Sequence, residues 1–78
     1  LCTHGYSLTG AMWHADAAAL ADGCRVATWD IRGHGHSASP DDPAAYSKAL
    51  ALGDMTALLD ELGADRAVLM GHSLGGYL

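Results

Sequence analysis

Ala67-Val68-Leu69-Met70-Gly71-His72-Ser73-Leu74-Gly75-Gly76 is the stretch that decides the fold. Four apolar residues in a row suit a central parallel strand covered on both faces, and the glycine-rich pentapeptide that follows obliges the chain to turn. The pattern Gly-x-Ser-x-Gly arises by chance only about 0.08 times in a chain of this composition, which gives it moderate weight alone. Its setting adds more. A serine at the apex of a sharp strand-to-helix turn takes a strained backbone conformation. The residues two before and two after it then approach so closely that a Cβ would clash, so glycine is needed at both. Gly71 and Gly75 fill those places, with His72 beside Ser73.

Working back from that turn, Asp42-Pro43 places a carboxylate N-cap before a proline at the first helical position, and a helix is expected to start there. Leu52, Met55, Leu59 and Leu62 form its buried stripe, Lys48, Asp54, Asp60 and Glu61 are left for solvent, and Gly63 ends it as a left-handed cap. Residues 31–42 before it read as a polar loop. Residues 24–30, with Val26, Thr28 and Trp29, read as a short strand. Residues 11–21 are alanine-rich with Met12, Trp13, Ala17 and Leu20 near helical spacing, and Asp22-Gly23 stops them. Leu1-Cys2-Thr3 reads as a strand running into His4-Gly5-Tyr6. This alternation predicts an α/β fold: a parallel sheet of three strands with helices on its faces.

With 78 residues the chain has room for one small core at most. Half of it is apolar and 17% is charged, as in globular proteins, and no apolar run nears the roughly 18 residues that span a bilayer. Nine carboxylates against four Lys and Arg give a net charge of −5, which repels phosphate backbones and anionic lipid heads. Neither nucleic acid nor membrane is an expected partner; a small molecule is. Two cysteines are too few for a disulfide scaffold and match no zinc spacing, so a reducing, cytoplasmic setting is expected. In parallel pairing Cys2 and Cys24 are offset by about four residues, or roughly 13 Å, beyond the roughly 7 Å reach of a disulfide. Free thiols follow. Residue 1 falls inside a strand and residue 78 just past Gly75-Gly76, so the sequence reads as part of one longer domain.

A serine hydroxyl is a weak nucleophile at neutral pH and needs a histidine base, a carboxylate to orient that base, and donors aimed at the developing oxyanion. The backbone N–H of Leu74, next after Ser73, is a candidate donor, and the N–H of Tyr6, in the loop after the first strand, is the second. Each such donor is worth roughly 2.7 to 4 kcal/mol in the transition state. His4 is expected to hydrogen-bond and shape that loop, with Gly5 letting backbone come close to a substrate. Neither His4 nor His72 is expected to act as the base.

His4-Gly5-Tyr6, then Trp29-Asp30-Ile31-Arg32-Gly33-His34-Gly35-His36-Ser37, then Gly71-His72-Ser73-Leu74-Gly75-Gly76 together resemble the N-terminal half of an α/β-hydrolase, in order and spacing across the whole chain. The resemblance implies a strand order of second, first, third, with a switch point where the Tyr6 loop faces the Ser73 elbow. It implies a serine hydrolase acting on an ester-like carbonyl through an acyl-enzyme, with no cofactor. It is also compatible with an acyltransferase, a carbon–carbon bond hydrolase or a non-catalytic ligand receptor of the same fold. Serine at the elbow argues against the aspartate-nucleophile dehalogenase and epoxide-hydrolase branches. The family's acid and catalytic histidine follow the nucleophile in the chain, and this sequence ends before either, so the 78 residues alone are expected to be inactive.

Other readings of the same residues carry less. His34 and His36 have a His-x-His spacing but no third metal ligand is suggested, so no metal is expected. Gly33-His34-Gly35-His36-Ser37-Ala38 fits a relaxed dinucleotide fingerprint, yet Pro40 and Pro43 prevent the helix that must open at once. Asp30 and Arg32 are expected to fix the loop as a pair. Trp13 and Trp29 are expected to pack, and His14 to lie on a helix surface.

Overall fold

The computed structural model describes residues 1–78. Three short strands, β1 (Cys2–Thr3), β2 (Thr28–Trp29) and β3 (Met70–Gly71), form a parallel sheet in the order β2-β1-β3. Cys2 pairs with Thr28 and Met70, and Thr3 with Trp29 and Gly71, so all three strands end level with one another. The chain steps from β1 to one side and then back across β1 to the other. With right-handed crossovers, the two connecting helices therefore lie on opposite faces. That reversal makes the C-terminal edge of β1 and β3 the switch point.

The first helical segment begins as a tight 3-10 turn, Gly10–Trp13, and becomes the α-helix α1 only at His14–Leu20. Thr9 caps the turn, its hydroxyl accepting from the Ala11 N–H at 3.2 Å. The expected helix start at Asp42 is corrected. Asp42 caps only one 3-10 turn, Pro43–Ala45, and the long helix α2 runs Lys48–Glu61 behind a second cap, Ser47, which accepts from the Leu50 N–H at 3.2 Å. The break falls at Tyr46, whose hydroxyl donates to the Pro40 carbonyl at 2.6 Å and whose ring lies against Gly33. Tying that side chain back to the loop holds the segment out of the helix.

The buried stripe of α2 is also rotated from the expected one. Ala51 and Met55 are buried, whereas Leu52 and Leu62 are left exposed. Asp54, expected in solvent, is held by Arg32. Gly63 closes the helix at φ +67° as expected of a left-handed cap. Within these residues β3 pairs only with β1, and Val68 of the apolar run stands 79% exposed. A strand apolar on both faces needs cover over both, and these residues leave Val68 and Leu69 largely exposed.

The core is correspondingly small and centres on β1, with Cys2, Thr3 and His4 fully enclosed and Trp13, Ile31, Ala51 and Met55 around them. The accessible surface, 5143 Å², exceeds the roughly 4,450 Å² of a compact protein of this mass, and Val68, Leu69 and Tyr77 are among the exposed apolar side chains. Trp29 packs half-buried with its indole N–H donating to the Thr3 hydroxyl at 2.9 Å. The thiols of Cys2 and Cys24 are free. No helix is long and apolar enough to cross a membrane.

Candidate active site

The turn after β3 is where backbone strain concentrates. Ser73 sits at φ 52°, ψ −114°, a conformation that costs a residue with a Cβ on the order of 1–3 kcal/mol. Immediately beyond it α3 (Leu74–Tyr77) begins, its first turn closed by Gly75 N–H to His72 O at 2.9 Å and Gly76 N–H to Ser73 O at 2.9 Å. Ser73 is exposed, and its side chain makes no capping bond to that helix. A serine serving only as a cap would accept from one of those N–H groups.

Both flanking glycines are required, for partly different reasons. A Cβ on Gly71 would sit inside 3.0 Å of the Gly75 and Gly76 backbone, which is the close approach expected across the turn. A Cβ on Gly75 would instead strike the carbonyl oxygens of Thr3 and His4. The elbow is thus wedged against the end of β1 as well as folded on itself.

The loop leaving β1 is fixed by His4, which is completely buried. Its Nε2 accepts the Ile31 N–H at 2.9 Å, so Nδ1 carries the proton and donates to Gly5 O at 2.7 Å. The Leu8 N–H also donates to Gly5 O, at 3.1 Å. In a trans peptide the carbonyl and the following N–H point in opposite directions, so pinning Gly5 O inward turns the Tyr6 N–H outward. Neither the Tyr6 nor the Leu74 N–H donates to another group of the protein. Gly5 also passes close to the elbow: a Cβ there would lie 2.8 Å from His72 Nδ1. Tyr6 and Leu74 share the walls of one crevice of about 230 Å³, with Ile31, His34 and Tyr77.

The loop after β2 is cross-tied by two charged residues that do not pair with each other, which corrects the expected Asp30–Arg32 contact. Asp30 accepts from the Gly10 N–H at 2.7 Å and the His36 N–H at 2.9 Å, linking the loop after β1 to the loop after β2. Those two donors, His36 foremost, hold its carboxyl below the usual carboxylate range. Arg32 grips Asp54 of α2 with two bonds of 2.7 and 2.8 Å and donates to Ala45 O at 2.7 Å. The guanidinium likewise draws the Asp54 carboxyl downward. Gly33 and Gly35 take positive φ, 80° and 49°, and no helix opens until well beyond them, which disposes of the dinucleotide fingerprint. His34 packs at a tilt against His4, with centroids 4.9 Å apart, while His36 projects into solvent, so the two do not converge as ligands. Nowhere in the chain do three His, Cys, Asp or Glu side chains gather to hold a metal. His14 is exposed on α1.

Two contributions escaped the sequence reasoning. Asp30 acts on Gly10, twenty residues earlier, a contact with no periodic signal. Tyr46, Lys48 and Tyr77 meet at the crevice beside the elbow although they lie in three separate segments.

Comparison with known proteins places this geometry. A family model described as the alpha/beta hydrolase fold matches residues 1–78. The chain is 38% identical over 79 residues to bifunctional epoxide hydrolase 2 of pig (Sus scrofa), covering all of this chain and 14% of that protein. It is 38% identical over 76 residues to an epoxide hydrolase of Caballeronia sordidicola, covering 96% of this chain and 23% of the relative. Against epoxide hydrolase A of Mycobacterium tuberculosis it is again 38% identical over 79 residues, or 24% of that relative. The chain therefore spans a quarter or less of the length of these curated relatives. No solved structure matches it at a significant level. With the family match running from end to end and the elbow, the β1 loop and the strand order all in agreement, this chain belongs to the alpha/beta hydrolase fold family.

Proposed function

We propose that these residues are the nucleophile and oxyanion half of a serine hydrolase, carried by a longer domain of which they form part. Ser73 attacks an ester-like carbonyl, the Tyr6 and Leu74 N–H groups receive the oxyanion, and water releases the acyl group from the serine. A histidine and a carboxylate from outside these residues complete the site, and no cofactor is called for. The observation that carries this reading is the Ser73 backbone at φ 52°, ψ −114°, with an exposed hydroxyl free of any capping bond.

A second reading, epoxide opening, is favoured by the names of the relatives. Chemistry at position 73 weighs against it. A carboxylate that opens an epoxide leaves an ester, which water can cleave; a serine would leave an ether, with no carbonyl for water to attack. Serine therefore suits a carbonyl substrate, and an epoxide hydrolase with this elbow would have to use another nucleophile.

Treating the intact protein with an active-site serine phosphonate separates the readings. Labelling at Ser73, together with p-nitrophenyl butyrate hydrolysis lost at least 1,000-fold in Ser73→Ala, is the expected result, about the scale on which nucleophile removal acts. Styrene oxide turnover that survives Ser73→Ala would favour the second reading. Absence of both labelling and turnover would leave a non-catalytic ligand receptor.

A further inference from the structure

All three tyrosines of the chain border the crevice shared by Tyr6 and Leu74. Its walls include Arg32 and Lys48, two of the four cations, and none of the nine carboxylates. These two cations differ. Arg32 is neutralised by its two-bond grip on Asp54. Lys48, at the first turn of α2, has no carboxylate partner, and its Nζ stands 4.0 Å from the centroid of the Tyr77 ring. An ammonium held over an aromatic face keeps its N–H groups available to an anion, and the side chain has already given up part of its rotamer freedom.

The crevice, about 230 Å³ and half open to solvent, has room for a short acyl chain with a polar end.

We propose that this crevice is the acyl subsite and that Lys48 selects acyl groups ending in a carboxylate. The inference rests on the serine-hydrolase reading of Ser73, and two arms of one experiment keep the two claims apart.

In the first arm, the intact protein hydrolyses mono-4-nitrophenyl glutarate and 4-nitrophenyl pentanoate, which have acyl chains of equal length. The ratio of their kcat/KM values should fall about tenfold in Lys48→Gln, equivalent to about 1.4 kcal/mol of lost discrimination, and be largely retained in Lys48→Arg. In the second arm, glutarate is titrated calorimetrically into Ser73→Ala protein with and without Lys48→Gln. Binding should weaken about tenfold when the lysine is removed. Ester hydrolysis with no preference for the glutarate ester, and a ratio indifferent to Lys48, overturns the subsite while leaving the hydrolase standing. Lysine-dependent glutarate binding without any ester hydrolysis supports the subsite and overturns the hydrolase. Loss of both signals overturns both.

Discussion

At the C-terminal edge of the sheet, His4, Asp30 and Arg32 each join two segments through polar bonds of 2.7 to 2.9 Å. The opposite edge holds an apolar crevice of about 520 Å³ bordered by Leu1, Val26, Leu59 and Val68, with Val68 standing 79% exposed. The contrast separates two sources of order. Directional bonds between residues at the strand ends define the rim of the candidate site within these residues alone. Apolar surface is non-directional and gains stability only when something covers it. The proposed nucleophile and its two amides, which would need placement within tenths of an ångström, are better served by the first kind.

The strongest way to break that contrast is at Gly75. Adding one methyl group there sets a Cβ against the carbonyl oxygens of Thr3 and His4, backbone atoms that cannot rotate away. Gly75→Ala should cost about 3 kcal/mol or more, the scale of severe overpacking, read as a shift in the urea midpoint of the intact protein. A cost below about 1 kcal/mol would mean that the elbow can retreat from β1, and that the rim is softer than its bonds suggest.

Asp30 tests the polar ties directly. Removing a carboxylate that accepts two backbone N–H bonds should cost about 2 kcal/mol in Asp30→Ala. Its pH dependence has a definite sign. The folded carboxyl titrates below its ordinary value of 3.8, because the His36 and Gly10 amides favour the charged form. Its contribution is therefore complete above that value and disappears as the pH falls through the lowered one. Asp54, lowered by Arg32, acts in the same direction. Urea midpoints measured from roughly pH 2 to 7 should show wild type and Asp30→Asn converging at the acid end. A gap that stays constant with pH would locate the stabilisation in something other than the carboxylate's charge.

The rim was also the part most legible in the sequence. Gly71, Ser73 and Gly75 state their own steric demands, and the order of the three strands came from the family resemblance that the motifs after each carry. Legibility fails where partners are distant in sequence. Asp42-Pro43 carries the signals of a helix start, and the local rule is right for one turn, but Tyr46 is captured by Pro40 and postpones the helix to Lys48. Leu52 and Met55 have the spacing of a stripe, but which side of α2 faces inward depends on where Arg32 anchors Asp54. Val68-Leu69-Met70 has the composition of a strand covered on both faces, and composition records the cover a strand requires and not whether these residues supply it.

The smallest effect makes the sharpest internal control, because it repeats the Gly75 substitution in the same chain with the sign reversed. Gly53 lies inside α2, and a Cβ there would meet nothing within 4 Å. Glycine in a helix interior sacrifices backbone entropy for no gain in packing, so Gly53→Ala should stabilise by about 0.5–1 kcal/mol. Gly63 isolates the conformational term. Its surroundings are equally open, but it sits at φ +67°, so Gly63→Ala should destabilise by about 1 kcal/mol. Between Gly53 and Gly63 the dihedral angle alone changes the sign, and between Gly53 and Gly75 it is occupied space. Loss of stability in Gly53→Ala would show that the outward side of α2 is covered in the intact protein, moving that face from the solvated region to the packed one.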